Sequence, residues 1–309
     1  VKILKVLVLL NWDQGDYTAA KEYFSQCTVI AQDLGDKILA GAILNNLCLV
    51  NDEQCDYRTS LNQYRQVLEL YKGIDFPRGE SDTLGNIGGV YLLLGRFAEA
   101  LSYYEKALEI SKQQQMIPSM SQDHGDIAMC LLGLGQTELA LRHFDEAINL
   151  AGQAGMRQDV AYWQRGKATA LVRSGKYDLA LEYYRDALET YAEIEAPAES
   201  LETLHDMGRL YLLLGDSASA ETNFTEAMNR AKEIGLARGI TSNLLALGDL
   251  QARQQAWQKA AEFYQQASER SLESGEMIWF GESLLRVGGL HQLQGRYDLA
   301  AGETQQALS

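Results

Sequence analysis

The sequence predicts an all-α fold, a solenoid of about eight helix–turn–helix units. Three observations support this prediction. Columns of similar residues recur every forty positions along the whole chain. Within one period these columns are three or four residues apart, the spacing of one face of an α-helix. Only 3 prolines occur in 309 residues, which leaves room for long helices.

The turn inside each unit is marked by a nearly repeated hexapeptide. Residues 175–180 are GKYDLA and residues 295–300 are GRYDLA. The same register holds Gly15, Gly95, Gly135 and Gly215. A glycine at this point ends the first helix and lets the chain turn. Cys55 and Gln255 replace the glycine, so repeats 2 and 7 depart from the pattern.

The second helix of each unit, helix B, carries small and aromatic residues on one face. Five residues after the turn register the small column is Ala20, Ser60, Ala100, Ala140, Ala180, Ala220, Ala260 and Ala300. Four residues further the aromatic column is Phe24, Tyr64, Tyr104, Phe144, Tyr184, Phe224 and Tyr264, with Thr304 breaking it. We expect small residues to permit close helix contact, and aromatic rings to fill the space beside them.

The first helix, helix A, has its own small column seven residues before the turn register. It holds Cys48, Gly88, Ala128, Ala168, Gly208, Gly248 and Gly288. A second group of glycines suits the end of helix B: Gly35, Gly155, Gly235 and Gly275. Pro77, Pro118 and Pro197 follow within three residues of that phase, where the next helix begins.

Composition limits the partners. The net charge is −15, from 42 acidic and 27 basic residues, so we expect no nucleic-acid partner. The apolar opening KILKVLVLL is too short to span a bilayer, so we expect no membrane insertion. The four scattered cysteines form no CxxC pair and indicate a cytoplasmic protein. Cys55 is the thiol we expect to be exposed.

These columns resemble the tetratricopeptide repeat (TPR) family. The resemblance rests on the small residue of helix A, the Gly-x-aromatic-x-x-Ala turn, and the aromatic residue and alanine of helix B. The period of forty is longer than the usual 34 residues. The long class resembles kinesin light chain, Pins-type adaptors, Rap-type peptide receptors and the sensor arms of STAND ATPases. The resemblance implies a right-handed α–α superhelix.

We therefore expect one solenoid over residues 1–309, excised from a longer protein because the chain begins with Val1. The expected repeats are approximately 1–40, 41–80, 81–120, 121–160, 161–200, 201–240, 241–280 and 281–309.

No pattern of catalytic or cofactor-binding residues is present in the sequence. It contains no GxxxxGK[ST], HExxH or GxSxG motif. The run GNIGG at 85–89 lacks the GxGxxG spacing, and we assign it to packing. None of the four histidines has a ligand partner four residues away. We expect no enzyme activity, no cofactor and no metal.

Function is expected on helix A, which forms the inner wall in TPR proteins. Relative to the small column, the inner positions lie at offsets of about −6, −3, −2, +1 and +4. The predicted partner-binding residues on this concave face are Asn45, Asn46, Asp82, Asn86, Asp126, Arg165, Asp206, Arg209, Asp249 and Arg286.

Two features of this face predict ligand chemistry. Asn46 and Asn86 share a phase in adjacent repeats, and an amide can pair with the main chain of an extended peptide. The alternative is a solvated polar face. Arg165 and Arg209 suit a carboxylate or phosphate, and the alternative is internal pairing with a neighbouring aspartate.

The sequence thus predicts a non-catalytic protein-interaction scaffold or sensor within a larger signalling or regulatory protein. Its partner would be a protein segment or peptide in the concave groove. The alternative is a peptide or small-ligand receptor that switches by compression of the superhelix. Self-association through uncapped repeat ends is a further expectation.

Overall fold

The computed structural model describes residues 17–293 and 295–308, which form fifteen α-helices and no strand. Gly15 lies outside the described residues. In chain order the helices are α1 Tyr17–Asp33, α2 Lys37–Glu53, α3 Tyr57–Lys72, α4 Pro77–Leu93, α5 Phe97–Gln113, α6 Ile117–Gly133, α7 Thr137–Gln153, α8 Arg157–Arg173, α9 Tyr177–Glu193, α10 Pro197–Leu214, α11 Ser217–Glu233, α12 Ala237–Arg253, α13 Trp257–Glu273, α14 Met277–Leu293 and α15 Tyr297–Leu308.

The chain forms two compact units, a first unit up to Met156 and a second unit from Arg157. Within each unit every helix packs against the next one along the chain. The even-numbered helices correspond to helix A and the odd-numbered ones to helix B. Successive A helices also contact each other in both units, and no comparable series joins the B helices among the described residues. The A helices therefore form the inner wall of each unit, and the all-α solenoid prediction is confirmed.

The small and aromatic columns meet as the sequence predicts. Ala180, in the small column of helix B, is fully buried. A Cβ added to Gly208 would lie 2.6 Å from the ring of Phe224, and one added to Gly88 would lie 3.0 Å from the ring of Tyr104. Both contacts join helix A to helix B of the same repeat. The rings therefore occupy the space that the missing side chains leave, as in close-packed cores.

The turns follow a stricter rule than the glycine pattern indicated. One residue with positive φ ends each described helix except the last, at every twentieth position from Gly35 to Gly295. The next residue donates its N–H to the carbonyl five residues earlier, as Arg96 does to Tyr91 at 2.9 Å. Glycine is not required, because five other residues adopt this left-handed conformation: Cys55, Asp75, Gln115, Glu195 and Gln255.

Helix starts also follow the predicted signals. Pro77 and Pro197 are the first residues of α4 and α10. Pro118 lies in the first turn of α6. A proline fits there because the first turn of a helix has free N–H groups. Each A helix begins four residues before the expected repeat boundary, so the boundaries at 41, 81 and onward fall inside helices.

Candidate functional site: the inner cavity of the second unit

The inner wall of the second unit encloses a cavity of about 900 Å³, here called the inner cavity. Its walls come from α8, α10, α12 and α14. Four of the predicted site residues line it: Asp206, Arg209, Asp249 and Arg286. The sequence analysis defined the inner positions by their phase relative to the small column. Because the A helices stack side by side, residues of the same phase come together on one wall. That a partner binds there stays a prediction.

Three aromatic rings of helix B form the floor of the inner cavity. Tyr184, Phe224 and Tyr264 are almost completely buried. The hydroxyl of Tyr184 lies 3.1 Å from the Thr169 hydroxyl, and that of Tyr264 donates to Asp249 Oδ1 at 2.6 Å. Burial raises the pKa of Tyr184 to about 12, so this hydroxyl stays protonated. The floor is therefore fixed in place by packing and hydrogen bonds.

Two arginines form ion pairs between neighbouring A helices. Arg286 on α14 donates through Nε to Asp249 of α12 at 3.1 Å and through Nη1 to Glu282 at 2.8 Å. Arg165 on α8 donates through Nε to Asp206 of α10 at 3.1 Å and also pairs with Glu202. The internal pairing considered for Arg165 is thus observed.

Electrostatics keep these arginines charged despite their partial burial. Burial acts to lower the pKa of Arg165, but the charges of Asp206 and Glu202 outweigh it and the pKa is raised. The same balance raises the pKa of Arg286 beside Glu282 and Asp249. Both pairs hold one repeat against the next, which gives these arginines a structural role.

Two other arginines of the inner cavity form no close ion pair with a carboxylate among the described residues. Arg209 and Arg253 are exposed, and neither forms an ion pair with any residue that the structure describes. Arg253 donates through Nη1 to the carbonyl of Leu212 at 3.4 Å, a long hydrogen bond at the end of α10. The sequence analysis considered an internal ion pair for Arg209. Within the described residues Arg209 forms neither an ion pair nor a hydrogen bond of this kind.

The sequence analysis missed several residues of this cavity. Arg253 and Arg173 line it at offset +5 from the small column, one position beyond the phases that we considered. Trp279 lines it from the first turn of α14. The sequence does contain a signal for the two arginines, because Arg173 and Arg253 occupy the same phase two periods apart.

The inner wall of the first unit holds the other five predicted residues. Asn45, Asn46, Asn86 and Asp126 are partly buried, and Asp82 is exposed. The side-chain oxygen of Asn45 is buried without a hydrogen-bond partner in the described residues. The amides of Asn46 and Asn86 likewise make no hydrogen bond to any residue that the structure describes, so both are available to a ligand.

Two acidic groups of this first unit are perturbed without a basic partner. Asp123 is 5% exposed and accepts a hydrogen bond of 2.6 Å from the hydroxyl of Ser111. Burial raises its pKa to about 7. Asp126 accepts from Gln122 Nε2 at 3.1 Å, and burial raises its pKa to about 7 as well. Each of these two carboxyls therefore changes its protonation state near neutral pH.

Glycines on this inner wall have different surroundings. In the GNIGG run, Gly88 faces the Tyr104 ring, which agrees with a packing role. A Cβ on Gly85 would meet nothing within 4 Å, so packing does not explain that glycine.

The described residues reveal no centre for metal chemistry. His124 and His143 come together with their Nδ1 atoms 3.0 Å apart, a pairing that the sequence spacing did not indicate. Burial lowers the pKa of His124 to about 4, so its ring is neutral at pH 7. No group of three or more His, Cys, Asp or Glu side chains in the described residues is arranged to hold a metal ion.

Cys55 is exposed and the other three thiols are buried, as expected. Across the described part of the chain, no helix combines the length and apolar character needed to cross a membrane.

The stacked helix pairs and their inner wall define an α-helical repeat protein. The sequence matches the tetratricopeptide repeat family model over residues 3–73, 79–154, 119–193, 159–233 and 199–273. The chain belongs to the tetratricopeptide repeat family, which confirms the resemblance seen in the sequence. No curated protein matches it.

Several solved structures share the fold. The apo form of RapI superposes with a TM-score of 0.69 at 13% identity, covering 89% of this chain and 98% of RapI. A STAND protein with a tetratricopeptide repeat sensor from Pyrococcus horikoshii gives 0.69 at 12% identity, covering 99% of this chain and 47% of that protein. The Rap conjugation gene regulator of plasmid pLS20, in complex with the Phr* peptide, gives 0.65 at 14% identity, covering 90% of this chain and 74% of the regulator.

Proposed function

We propose that this chain is a non-catalytic interaction module whose inner cavity binds an extended segment of a partner protein. The observation that carries the proposal is the cavity itself. It is about 900 Å³ in volume, within the range of ligand sites, and four successive A helices line it. Its aromatic floor is rigid, while Arg209 and Arg253 offer charged groups free of ion pairs to a ligand.

Two further facts support binding over catalysis. The ion pairs of the cavity walls have a structural role, since Arg286 joins its repeat to the repeat of Asp249. A regulator of similar fold was solved with a peptide bound. The STAND protein of similar fold carries its tetratricopeptide repeats as a sensor, and we propose a sensor or scaffold role within a larger signalling protein here too.

The first unit is proposed to contribute a separate contact. Asn46 and Asn86 occupy equivalent positions on α2 and α4, and their amides are free of hydrogen bonds within the described residues. An amide donates and accepts at once, so this pair suits the main chain of an extended segment.

A display library of random 12-residue peptides, selected on the purified chain, tests the proposal. Ser242 lines the cavity, so Ser242→Trp places an indole in it. Ala218 is exposed on the B helix α11, so Ala218→Trp adds the same group outside the cavity. We expect selected peptides to lose at least about tenfold in affinity on Ser242→Trp and to bind Ala218→Trp unchanged.

Circular dichroism and the melting temperature check that both variants fold. Equal binding by the two variants would place the site elsewhere, and a library that yields no binder would refute the proposal.

A further inference from the structure

The arginines of the inner cavity indicate which charge the bound segment carries there. The protein has a net charge of −15, yet Arg173, Arg209, Arg253 and Arg286 all line one cavity. Arg286 is neutralised by Asp249 and Glu282. Among the described residues Arg209 and Arg253 form no such ion pair, although the charge of Arg209 acts on Asp206 from a greater distance.

Both arginines are close to the C-terminal end of α10. Arg253 belongs to α12 but donates to the Leu212 carbonyl, near the end of α10. Arg209 lies on α10, one turn before Leu212. The side chain of Leu213, 58% exposed, also lines the cavity there. One end of α10 therefore presents two arginines beside an exposed apolar side chain.

The charge balance of the lining favours a singly charged group. Three carboxylates, those of Asp206, Asp249 and Glu282, line the cavity together with Arg209 and Arg253. A carboxylate brings a single negative charge and suits the fork of donors of a guanidinium. A phosphate carries close to two charges and would meet three nearby carboxylates.

The cavity also continues on both sides of the two arginines. Thr169 and Val172 of α8 line it on one side, and Trp279 and Arg286 of α14 line it on the other. A group bound at Arg209 and Arg253 therefore lies in the middle of a bound segment, where a side chain and not a chain end is expected.

The geometry points to an acidic side chain, Asp or Glu, within the bound segment, held by Arg209 and Arg253 with an apolar neighbour on Leu213. This inference rests on the proposed function and names the chemistry of its ligand.

Synthetic versions of the selected 12-residue peptides test it. For each peptide, one version keeps the acidic residue, one replaces it by Gln or Asn, one replaces it by phosphoserine, and one ends at it with a free carboxylate. We expect the Gln or Asn version to bind at least about tenfold more weakly, because a hydrogen bond to a charged group is lost. We also expect the phosphoserine and truncated versions to bind more weakly than the original.

Variants of the protein assign the effect to the two arginines. In Arg209→Ala/Arg253→Ala the acidic and amide versions should bind alike, whereas Arg238→Ala should keep the difference. Arg238 is a matched control, since it is an exposed arginine on α12 that does not line the cavity.

The outcomes separate the two proposals. Peptides that lose affinity on Ser242→Trp but show no preference for the acidic version would overturn the inference and leave the proposed function intact. Tighter binding of the phosphoserine or truncated version would also overturn it. If no peptide binds the cavity, the proposed function fails, and this inference fails with it.

Discussion

The inner walls of the two units share one helical scaffold and differ in their charges. The inner positions of α8, α10 and α14 hold Arg165, Arg209 and Arg286, whereas the inner positions of α2, α4 and α6 hold no lysine or arginine. In the second unit, Asp206 accepts a hydrogen bond from Arg165 of the preceding A helix. In the first unit, Asp123 is buried and accepts its hydrogen bond from an uncharged hydroxyl.

This difference shows how a repeat fold separates stability from recognition. The columns that hold helix A against helix B are the same in both units, so both fold alike. The inner positions are outside those columns and free to vary. The second unit uses them for ion pairs and for Arg209, and the first for amides and for carboxyls such as Asp126, which accepts from the uncharged Gln122.

Breaking an ion pair between A helices of the second unit should have the largest effect. Arg165→Met leaves Asp206, whose side chain is 23% exposed, without its ion-pair partner. We expect the free energy of unfolding to fall by about 2–4 kcal/mol in urea titrations at pH 7, because a carboxylate without an ion pair remains partly buried.

An exposed arginine of the first unit is the control. Arg96 pairs with Glu99 at 2.6 Å on the surface, and Arg96→Met should lower the free energy of unfolding much less than Arg165→Met does, because water screens exposed ion pairs. Equal losses in the two variants would contradict the contrast drawn between the inner walls.

The same chemical change, Asp to Asn, should have effects of different size in the two units. Asp123→Asn removes a buried carboxyl of raised pKa and keeps an oxygen that accepts from Ser111. We expect it to stabilise the protein by about 1–3 kcal/mol at pH 8, whereas Asp206→Asn should give a smaller gain, because Arg165 and Arg209 offset part of the burial of that carboxylate.

The pH dependence of stability follows from the raised pKa. The folded pKa of Asp123, about 7, lies above the unfolded value near 3.9, so the folded state holds the proton more tightly. Stability should therefore fall as the pH rises from about 4 to about 7, and then level off. Asp123→Asn should flatten this slope in urea titrations across that range. A slope that is unchanged would refute a role for Asp123.

Substitutions in the turns should have the smallest effect, and an equal one in both units. Gln115 and Gln255 hold left-handed backbone, with φ of 53° and 60°. We expect Gln115→Gly and Gln255→Gly each to stabilise by about 0.5–1 kcal/mol, because glycine adopts this conformation without strain. Melting temperatures measure both. A gain in only one of them would show that the turns are not equivalent.

The sequence by itself determined the architecture. Contacts between consecutive helices are local and recur every forty residues, so Gly208 and Phe224 stand out as members of repeating columns in the sequence alone. The inner positions could be predicted for the same reason, since their phase follows from the small column. Asp206 and Arg209 were placed on the inner wall in this way.

Tertiary structure alone decided how those inner residues behave. The partner of Arg165 lies 41 residues away on another A helix, and a side chain can reach several such neighbours. Burial, which raises the pKa of Asp123, depends on every helix packed around it. Whether a turn needs glycine is also settled by the whole fold, because helix packing outweighs the cost of a left-handed Gln115. The sequence determines the repeated local contacts, whereas charge pairing and burial arise only once the helices are stacked.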